Sequence, residues 1–138
     1  MGVQVLYHST VADDLNANVT VFRTAFERAD VVVCTGGLGP TDDDLTRFAL
    51  ARVLGVDLDH DAESEQHLRS LFSRRGLKMP ERNTVQAMFP YGSKPIANPI
   101  GTAPGIDLEV GKDEASGGCR LFALPGVPAE MHLMWAET

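Results

Sequence analysis

The chain has few cysteines, no long apolar run and no excess of positive charge, and each absence excludes a class of protein. Cys34 and Cys119 lack a paired spacing, which argues against a disulfide framework and a structural zinc site. The apolar runs are too short to span a bilayer and the N-terminus lacks a secretory leader, so we expect a cytoplasmic protein. A net charge of −7 repels polyanions and argues against nucleic acid or membranes as partners.

The length of 138 residues predicts a single domain over residues 1–138, with one core and one site. A β-prone run at residues 3–8 predicts a first strand, and apolar residues at helical spacing predict a helix that starts at Leu15. The continuous apolar run Val31–Thr35 predicts a central strand that is buried on both faces of a parallel sheet.

The second half of the chain predicts helices first and a hairpin last. Helical spacing continues from Leu45 to a cap at Gly55, and it returns at residues 61–75 and after Pro80. Dense proline and glycine then exclude long elements up to residue 105. Strands are predicted at 106–110 and 120–124, joined by the polar connection 111–118, with a last helix that begins at Pro128.

The turn after the apolar strand is predicted to bind an anion. Glycines at positions 36, 37 and 39 permit backbone conformations that a side chain would forbid, and a helix is predicted to begin near Asp44. Amides in such a turn can converge on a phosphate, assisted by the positive end of the helix dipole. The alternative is a tight connection whose glycines serve geometry alone and whose aspartates cap the helix.

Three successive carboxylates, at residues 42–44, conflict with a bare phosphate cradle. They would repel an anion unless one of them binds a cation or turns outward. We therefore expect Asp44, together with Asp13, to hold Mg²⁺ or a similar hard cation that bridges to the phosphate. Such an ion would neutralise developing charge and activate water.

Three blocks of sequence resemble those of CinA, the competence/damage-inducible proteins whose N-terminal domain belongs to the wider MoaB/Mog molybdopterin-binding-like fold. The blocks are Thr-Gly-Gly-Leu-Gly-Pro-Thr-Asp-Asp-Asp-Leu-Thr at 35–46, Asn-Pro-Ile-Gly-Thr-Ala-Pro-Gly at 98–105 and Leu-Pro-Gly-Val-Pro-Ala-Glu-Met at 124–131. The resemblance implies an α/β fold, a three-layer sandwich with a mostly parallel central sheet and a short β-hairpin. It also implies a homo-oligomer.

The same resemblance implies which residues serve the ligand. Asp44 and Asp13 fall on the acidic positions of the family, so we expect them to be catalytic and to hold a divalent cation, Mg²⁺, Mn²⁺ or Co²⁺. The residues expected to contact the ligand are Thr35, Gly36, Gly37, Leu38, Gly39, Pro40, Thr41, Thr46, Gly101, Thr102, Ala103, Pro104, Gly105, Pro125 and Gly126. For residues 101–105 the alternative is an ordinary turn between short strands.

Three functions stay open. CinA domains of this type are associated with metal-dependent ADP-ribose pyrophosphatase activity, so the leading hypothesis is a hydrolase of ADP-ribose or a similar nucleotide diphosphate. The second is a binding module for molybdopterin or a related pterin phosphate, without turnover, because Mog relatives act in molybdenum cofactor assembly. The third is a catalytically silent fragment.

The chain departs from the family pattern at both ends and at one internal position. The departures at the ends lead us to expect a domain truncated at both ends. Family members usually begin with another strand and helix carrying a Gly-Asp-Glu-type motif, about 20 to 30 residues that are missing before Met1. Without that strand the sheet would re-pair, leave an edge or borrow a strand from a neighbouring chain. CinA proteins also often carry a further C-terminal domain associated with nicotinamide mononucleotide deamidation, and because this sequence stops before it we do not expect that activity here. Phe48 replaces a common glutamate, which would weaken cation binding or helix capping.

Overall fold

Helices and short strands alternate along the chain, which a computed structural model describes for residues 2–111 and 117–138. In chain order the elements are α1 (Leu15–Arg28), β1 (Val31–Thr35), α2 (Thr46–Leu54), β2 (Leu58–His60), α3 (Ala62–Arg74), a 3₁₀ helix (Glu81–Ala87), β3 (Met88–Pro90), β4 (Lys94–Ile96), β5 (Gly105–Val110), β6 (Cys119–Leu124) and α4 (Pro128–Glu137). No helix in these two ranges is both long enough and apolar enough to cross a membrane.

Four strands form a mixed sheet in the order β1-β6-β5-β4. β1 and β6 are parallel, whereas β5 runs antiparallel to both β6 and β4. The α/β class and the β5–β6 hairpin are confirmed, although residues 112–116 of its predicted connection lie outside the described part of the chain. The sheet is mixed rather than mostly parallel, because β4, β5 and β6 follow one another without crossover helices. β2 and β3 form a separate antiparallel pair.

Helices cover both faces of the sheet, which confirms the three layers. On one face, α1 and α2 pack against the inward side chains of the hairpin strands. This core comprises Val19, Phe22, Leu38, Ala49, Leu50, Phe89, Ala103, Ile106, Leu108, Leu121 and Ala123. On the other face, Trp135 of α4 meets the ring of Phe122 edge-on, with 6.1 Å between ring centroids. The remaining helices form a second cluster around Leu68.

The predicted helices are confirmed, and capping explains most of their boundaries. The Asp14 carboxylate accepts the Ala17 amide at 2.7 Å where α1 begins, and Asp61 caps α3 in the same way. Gly55, with φ of 66°, closes α2 in the left-handed conformation. α2 begins at Thr46, near Asp44 as predicted, and the Asp44 side chain accepts hydrogen bonds in the turn that precedes the helix.

Two predictions about strands are wrong. Residues 3–8 form no strand, and Val5 is 81% exposed, because β propensity provides no partner for backbone pairing. Val31 and Val33 are 47% and 48% exposed, so β1 is not buried on both faces. β1 pairs with β6 alone among the described strands, and α4 packs on β6. For a sheet without the family's first strand we expected re-pairing, an open edge or a borrowed strand. The described part of the chain shows the open edge, at β1.

Replacing Leu50, which is fully buried in α2, tests the core. We expect Leu50→Ala to lower the free energy of unfolding by about 2–5 kcal/mol, because it removes buried methyl groups and leaves a cavity. Leu77→Ala is the matched control, since Leu77 is 58% exposed, and its effect should stay within about 0.5 kcal/mol. Urea denaturation measures both, and equal effects would contradict this description of the core.

Candidate ligand-binding site

The two parallel strands bring two of the predicted ligand loops to one edge of the sheet. Thr35 and Leu124, the last residues of β1 and β6, lie opposite each other. The Gly36 amide donates to the Leu124 carbonyl at 2.9 Å. A Cβ placed on Gly126 would lie 3.4 Å from the Gly36 Cα, so the two backbones are adjacent. This is the carboxyl edge, where open α/β sheets usually bind ligands.

The third predicted loop, residues 98–105, leaves the sheet at the same edge. Ile96, the last residue of β4, pairs with Gly105, the first residue of β5. The next residue, Ile106, pairs with Ala123 beside the end of β6. The structure therefore brings together the three blocks that the sequence singled out.

The glycine loop, residues 35–46, depends on two backbone conformations that other residues rarely adopt. Gly36 and Gly37 have φ values of 92° and 70°. A Cβ on Gly37 would also lie 2.3 Å from the Thr46 hydroxyl oxygen. Thr46 anchors the loop, because its hydroxyl donates to the Gly36 carbonyl at 2.8 Å and its amide to the Gly37 carbonyl at 3.1 Å. A side chain at Gly37 would break this anchor.

Two of the four amides expected to cradle an anion already donate to partners in the protein. Gly36 donates to Leu124, and Gly39 donates to the Asp44 carboxylate. Across residues 2–111 and 117–138, the amides of Gly37 and Leu38 make no hydrogen bond. Successive amides in such a turn form a concave, positive anion site, so these two remain as the donors of the cradle.

Asp44 turns into the glycine loop. One carboxylate oxygen accepts the Thr41 amide at 2.9 Å and the Thr41 hydroxyl at 2.6 Å. Burial opposes ionisation, but the hydrogen bonds from Thr41 and Gly39 and the charge of Arg47 outweigh it, so the pKa of Asp44 lies below its ordinary value. The carboxylate is thus ionised at neutral pH and shapes the loop.

Arg47, which the sequence analysis did not single out, holds the glycine loop from beneath. Only 1% of the residue is exposed. Its guanidinium donates to the carbonyls of Val85 and Met88 at 2.8 and 2.9 Å, and also to that of Leu38. Burial lowers the pKa of Arg47 to about 10, although the charge of Asp44 opposes this shift. Its position directly after the Leu-Thr of the first sequence block was the only available signal.

Asn98 fixes the 98–105 loop, a role that its sequence block did not reveal. The side chain is buried, its amide nitrogen donates to Ala103 and Glu130 at 2.9 and 2.8 Å, and its oxygen accepts the Gly101 amide at 2.8 Å. A Cβ on Gly101 would lie 2.3 Å from the Glu130 carboxyl group. Glu130 therefore ties this loop to the first turn of α4.

The two predicted metal ligands, Asp13 and Asp44, lie in different segments: Asp13 precedes α1 and Asp44 belongs to the glycine loop before α2. Asp13 is exposed in a bend ahead of α1, and the start of α1 is tied to the last turn of α2 by a 3.2 Å bond from Arg52 to Asn16. Asp44 instead precedes the first turn of α2. Within the described ranges, no three His, Cys, Asp or Glu side chains are grouped to hold a metal. The expectation that Asp44 and Asp13 hold a divalent cation therefore stays a prediction.

A separate cleft of about 480 Å³ lies where α3 meets the 3₁₀ helix. It is lined by Arg69, Lys78, Met79, Pro80, Glu81 and Thr84. None of these belongs to the three converging loops, and Arg69 is paired with Glu65 at 2.6 Å. We therefore place the candidate site at the loops.

Comparison with known proteins identifies the class of domain. The family described as "Probable molybdopterin binding domain" matches residues 1–138. The crystal structure of the protein CinA from Thermoplasma acidophilum, of unknown function, is 36% identical with a TM-score of 0.77, over 91% of this chain and 70% of that one. The chain therefore belongs to the CinA family of molybdopterin-binding-like domains.

Curated relatives carry the same family name and are longer. A CinA-like protein of Thermomicrobium roseum is 44% identical over 137 residues, which cover 99% of this chain and 32% of that protein. One from Frankia casuarinae is 43% identical over 143 residues, covering 100% and 32% respectively. The chain thus spans about a third of the length of these relatives.

Because the folded-state pKa of Asp44 is depressed, its charge stabilises the fold above the unfolded-state pKa, and this stabilisation is lost as pH falls through the folded-state value. We expect Asp44→Asn to lower the melting temperature at pH 7, with a difference that shrinks below about pH 4. Thermal melts from pH 7 to pH 2 measure this. The exposed Asp43→Asn is the charge-matched control, and an equal loss there would show that Asp44 has no special role.

Proposed function

We propose that the carboxyl edge of the sheet binds the phosphate group of a pterin of the molybdopterin type. The observation that carries this proposal is the Gly36–Gly37 turn, whose two successive left-handed residues leave the amides of Gly37 and Leu38 without a partner in the described chain. Such amides at a strand-to-helix turn attract a phosphate. The family description, probable molybdopterin binding domain, supports the pterin part of the ligand.

The neighbouring Leu-Pro-Gly block leaves one exposed backbone position beside the glycine loop. Gly126 is exposed, lies next to Gly36 and carries no side chain that would block a ligand. The Asp44 charge is neutralised locally by the donors of Thr41 and by Arg47, which lessens its repulsion of a phosphate. In this proposal the phosphate lies over the glycine loop, and the pterin extends toward the 98–105 loop.

Gly37→Ala tests the cradle. The new Cβ would meet the Thr46 hydroxyl and would force a left-handed alanine, so we expect affinity for neopterin monophosphate to fall at least about tenfold, as when a hydrogen bond to a charged group is lost. Gly55→Ala is the matched control, because Gly55 has a similar φ of 66° but open space around it at the far end of α2. Isothermal titration calorimetry measures both variants. Equal affinities would overturn the cradle.

A second candidate function is hydrolysis of a nucleotide diphosphate such as ADP-ribose. The observation that favours it is an ionised Asp44, with the exposed Asp42 and Asp43, beside the phosphate cradle. A divalent cation would arrive on the phosphates of the substrate, as Mg²⁺ commonly does. Water oxygen would bond to one phosphorus, the bridging P–O bond would break, and the products would be AMP and ribose 5-phosphate.

AMP release from ADP-ribose in the presence of Mg²⁺, Mn²⁺ or Co²⁺ tests this second function. If it is correct, chelator should abolish release and Asp44→Asn should reduce it at least about tenfold, because the carboxylate that shapes the loop loses its charge. Unchanged release in chelator would remove the cation from the proposal. Pterin binding without any AMP release would leave a binding module without turnover.

A further inference from the structure

A chain of buried amides runs from the 3₁₀ helix to the 98–105 loop. The Asn83 side-chain nitrogen donates to the Gln86 side-chain oxygen at 2.9 Å, and the Gln86 nitrogen donates to the Thr102 hydroxyl at 3.2 Å. Asn83 and Gln86 are only 6% and 1% exposed. None of these three side chains hydrogen-bonds to the glycine loop in the described part of the protein.

The direction of these hydrogen bonds decides what Thr102 can do. Asn83 occupies the oxygen of Gln86, so the NH₂ group of Gln86 faces Thr102. A hydroxyl that accepts a hydrogen bond still has its own proton to donate. Thr102 makes no other hydrogen bond in residues 2–111 and 117–138, and it is only half-buried. Its proton is therefore available at the carboxyl edge of the sheet.

The same region is joined to the glycine loop. Val85, the residue before Gln86, accepts a hydrogen bond from Arg47, which also donates to the Leu38 carbonyl. Thr102 and the glycine loop are thus held in a defined relation through buried polar groups. The Glu130 carboxylate, however, lies beside the neighbouring Gly101, where an added Cβ would be 2.3 Å from it. A negative charge so close disfavours a second anionic group and favours an uncharged acceptor.

We propose that Gln86 is a positioning residue that commits the Thr102 hydroxyl to donate a hydrogen bond to an uncharged acceptor of the ligand. That acceptor would be a carbonyl oxygen or ring nitrogen of the heterocycle, remote from the phosphate. The proposal rests on the proposed pterin-phosphate function and assigns a specificity contact within it. Thr102 touches the ligand, and Gln86 acts only through Thr102.

The two parts of the site can be tested with two probes in calorimetric titrations. Inorganic phosphate reports on the glycine loop alone, whereas neopterin monophosphate reports on both contacts. We expect Thr102→Val to weaken neopterin monophosphate about tenfold, the effect of one lost hydrogen bond, and to leave inorganic phosphate unchanged. Thr102→Ser keeps the hydroxyl and should retain the affinity of the parent chain for both probes.

Two replacements of Gln86 distinguish a role in positioning the Thr102 hydroxyl from a role in packing alone. Gln86→Glu places an acceptor-only carboxylate against Thr102, which captures the hydroxyl proton and should weaken the pterin probe as much as Thr102→Val. The methionine of Gln86→Met cannot capture the hydroxyl proton. This variant should therefore bind the pterin probe more tightly than the Gln86→Glu variant, although methionine differs more from glutamine than glutamate does. A purely structural role predicts the opposite order, which would overturn the proposal.

The remaining outcomes distinguish this inference from the proposed function. If the parent chain binds both probes and Thr102→Val binds neopterin monophosphate equally well, the inference alone is overturned. If the parent chain binds neither probe, the proposed function fails and the inference fails with it. Thermal melts of each variant confirm that affinities are compared between folded proteins.

Discussion

The buried guanidinium of Arg47 is the constraint on which the site depends. A charge taken out of water is tolerated only where hydrogen bonds replace its hydration. Here the carbonyls of Leu38, Val85 and Met88 do so, and they come from the glycine loop, the 3₁₀ helix and β3. The glycine loop and the continuous segment formed by the 3₁₀ helix and β3, which are about 40 residues apart in sequence, therefore share one donor group. The buried Nε of Arg47 has no hydrogen-bond partner among the described residues, and displacing any of the three carbonyls would leave a further donor unpaired.

Topology supplies the rest of the arrangement. A parallel β1–β6 pair aligns two carboxyl ends, and the turn from β4 into β5 reaches the same edge from the opposite direction. Backbone conformation then determines which amides are left without a partner in the described chain, since Gly36 and Gly37 are left-handed and Thr46 holds their carbonyls. The side chains at this edge mainly hold loops in position, as Asn98 and Asp44 show.

Sequence reasoning succeeded where local chemistry decides the structure. Helical spacing and the cap at Gly55 located the helices, and the left-handed glycines were readable as a turn. Sequence reasoning failed where the structure depends on contacts with segments that are distant along the chain. An apolar run such as Val31–Thr35 does not reveal whether a sheet continues beyond it, and β1 lies at an edge. The burial of Arg47 and Gln86 depends on partners about 40 and 16 residues away, which no local pattern encodes.

The bond from Gly36 to Leu124 joins segments from the two halves of the chain, so the anion site exists only once both halves have docked. Bringing Gly36 and Leu124 together closes a long loop and lowers the conformational entropy of the chain. Other contacts must offset this loss, so we expect the bond to form late in folding. Occupancy of the site is therefore thermodynamically linked to global unfolding rather than to the motion of one turn. A ligand would raise the melting temperature of the whole domain in proportion to the logarithm of its concentration above the dissociation constant.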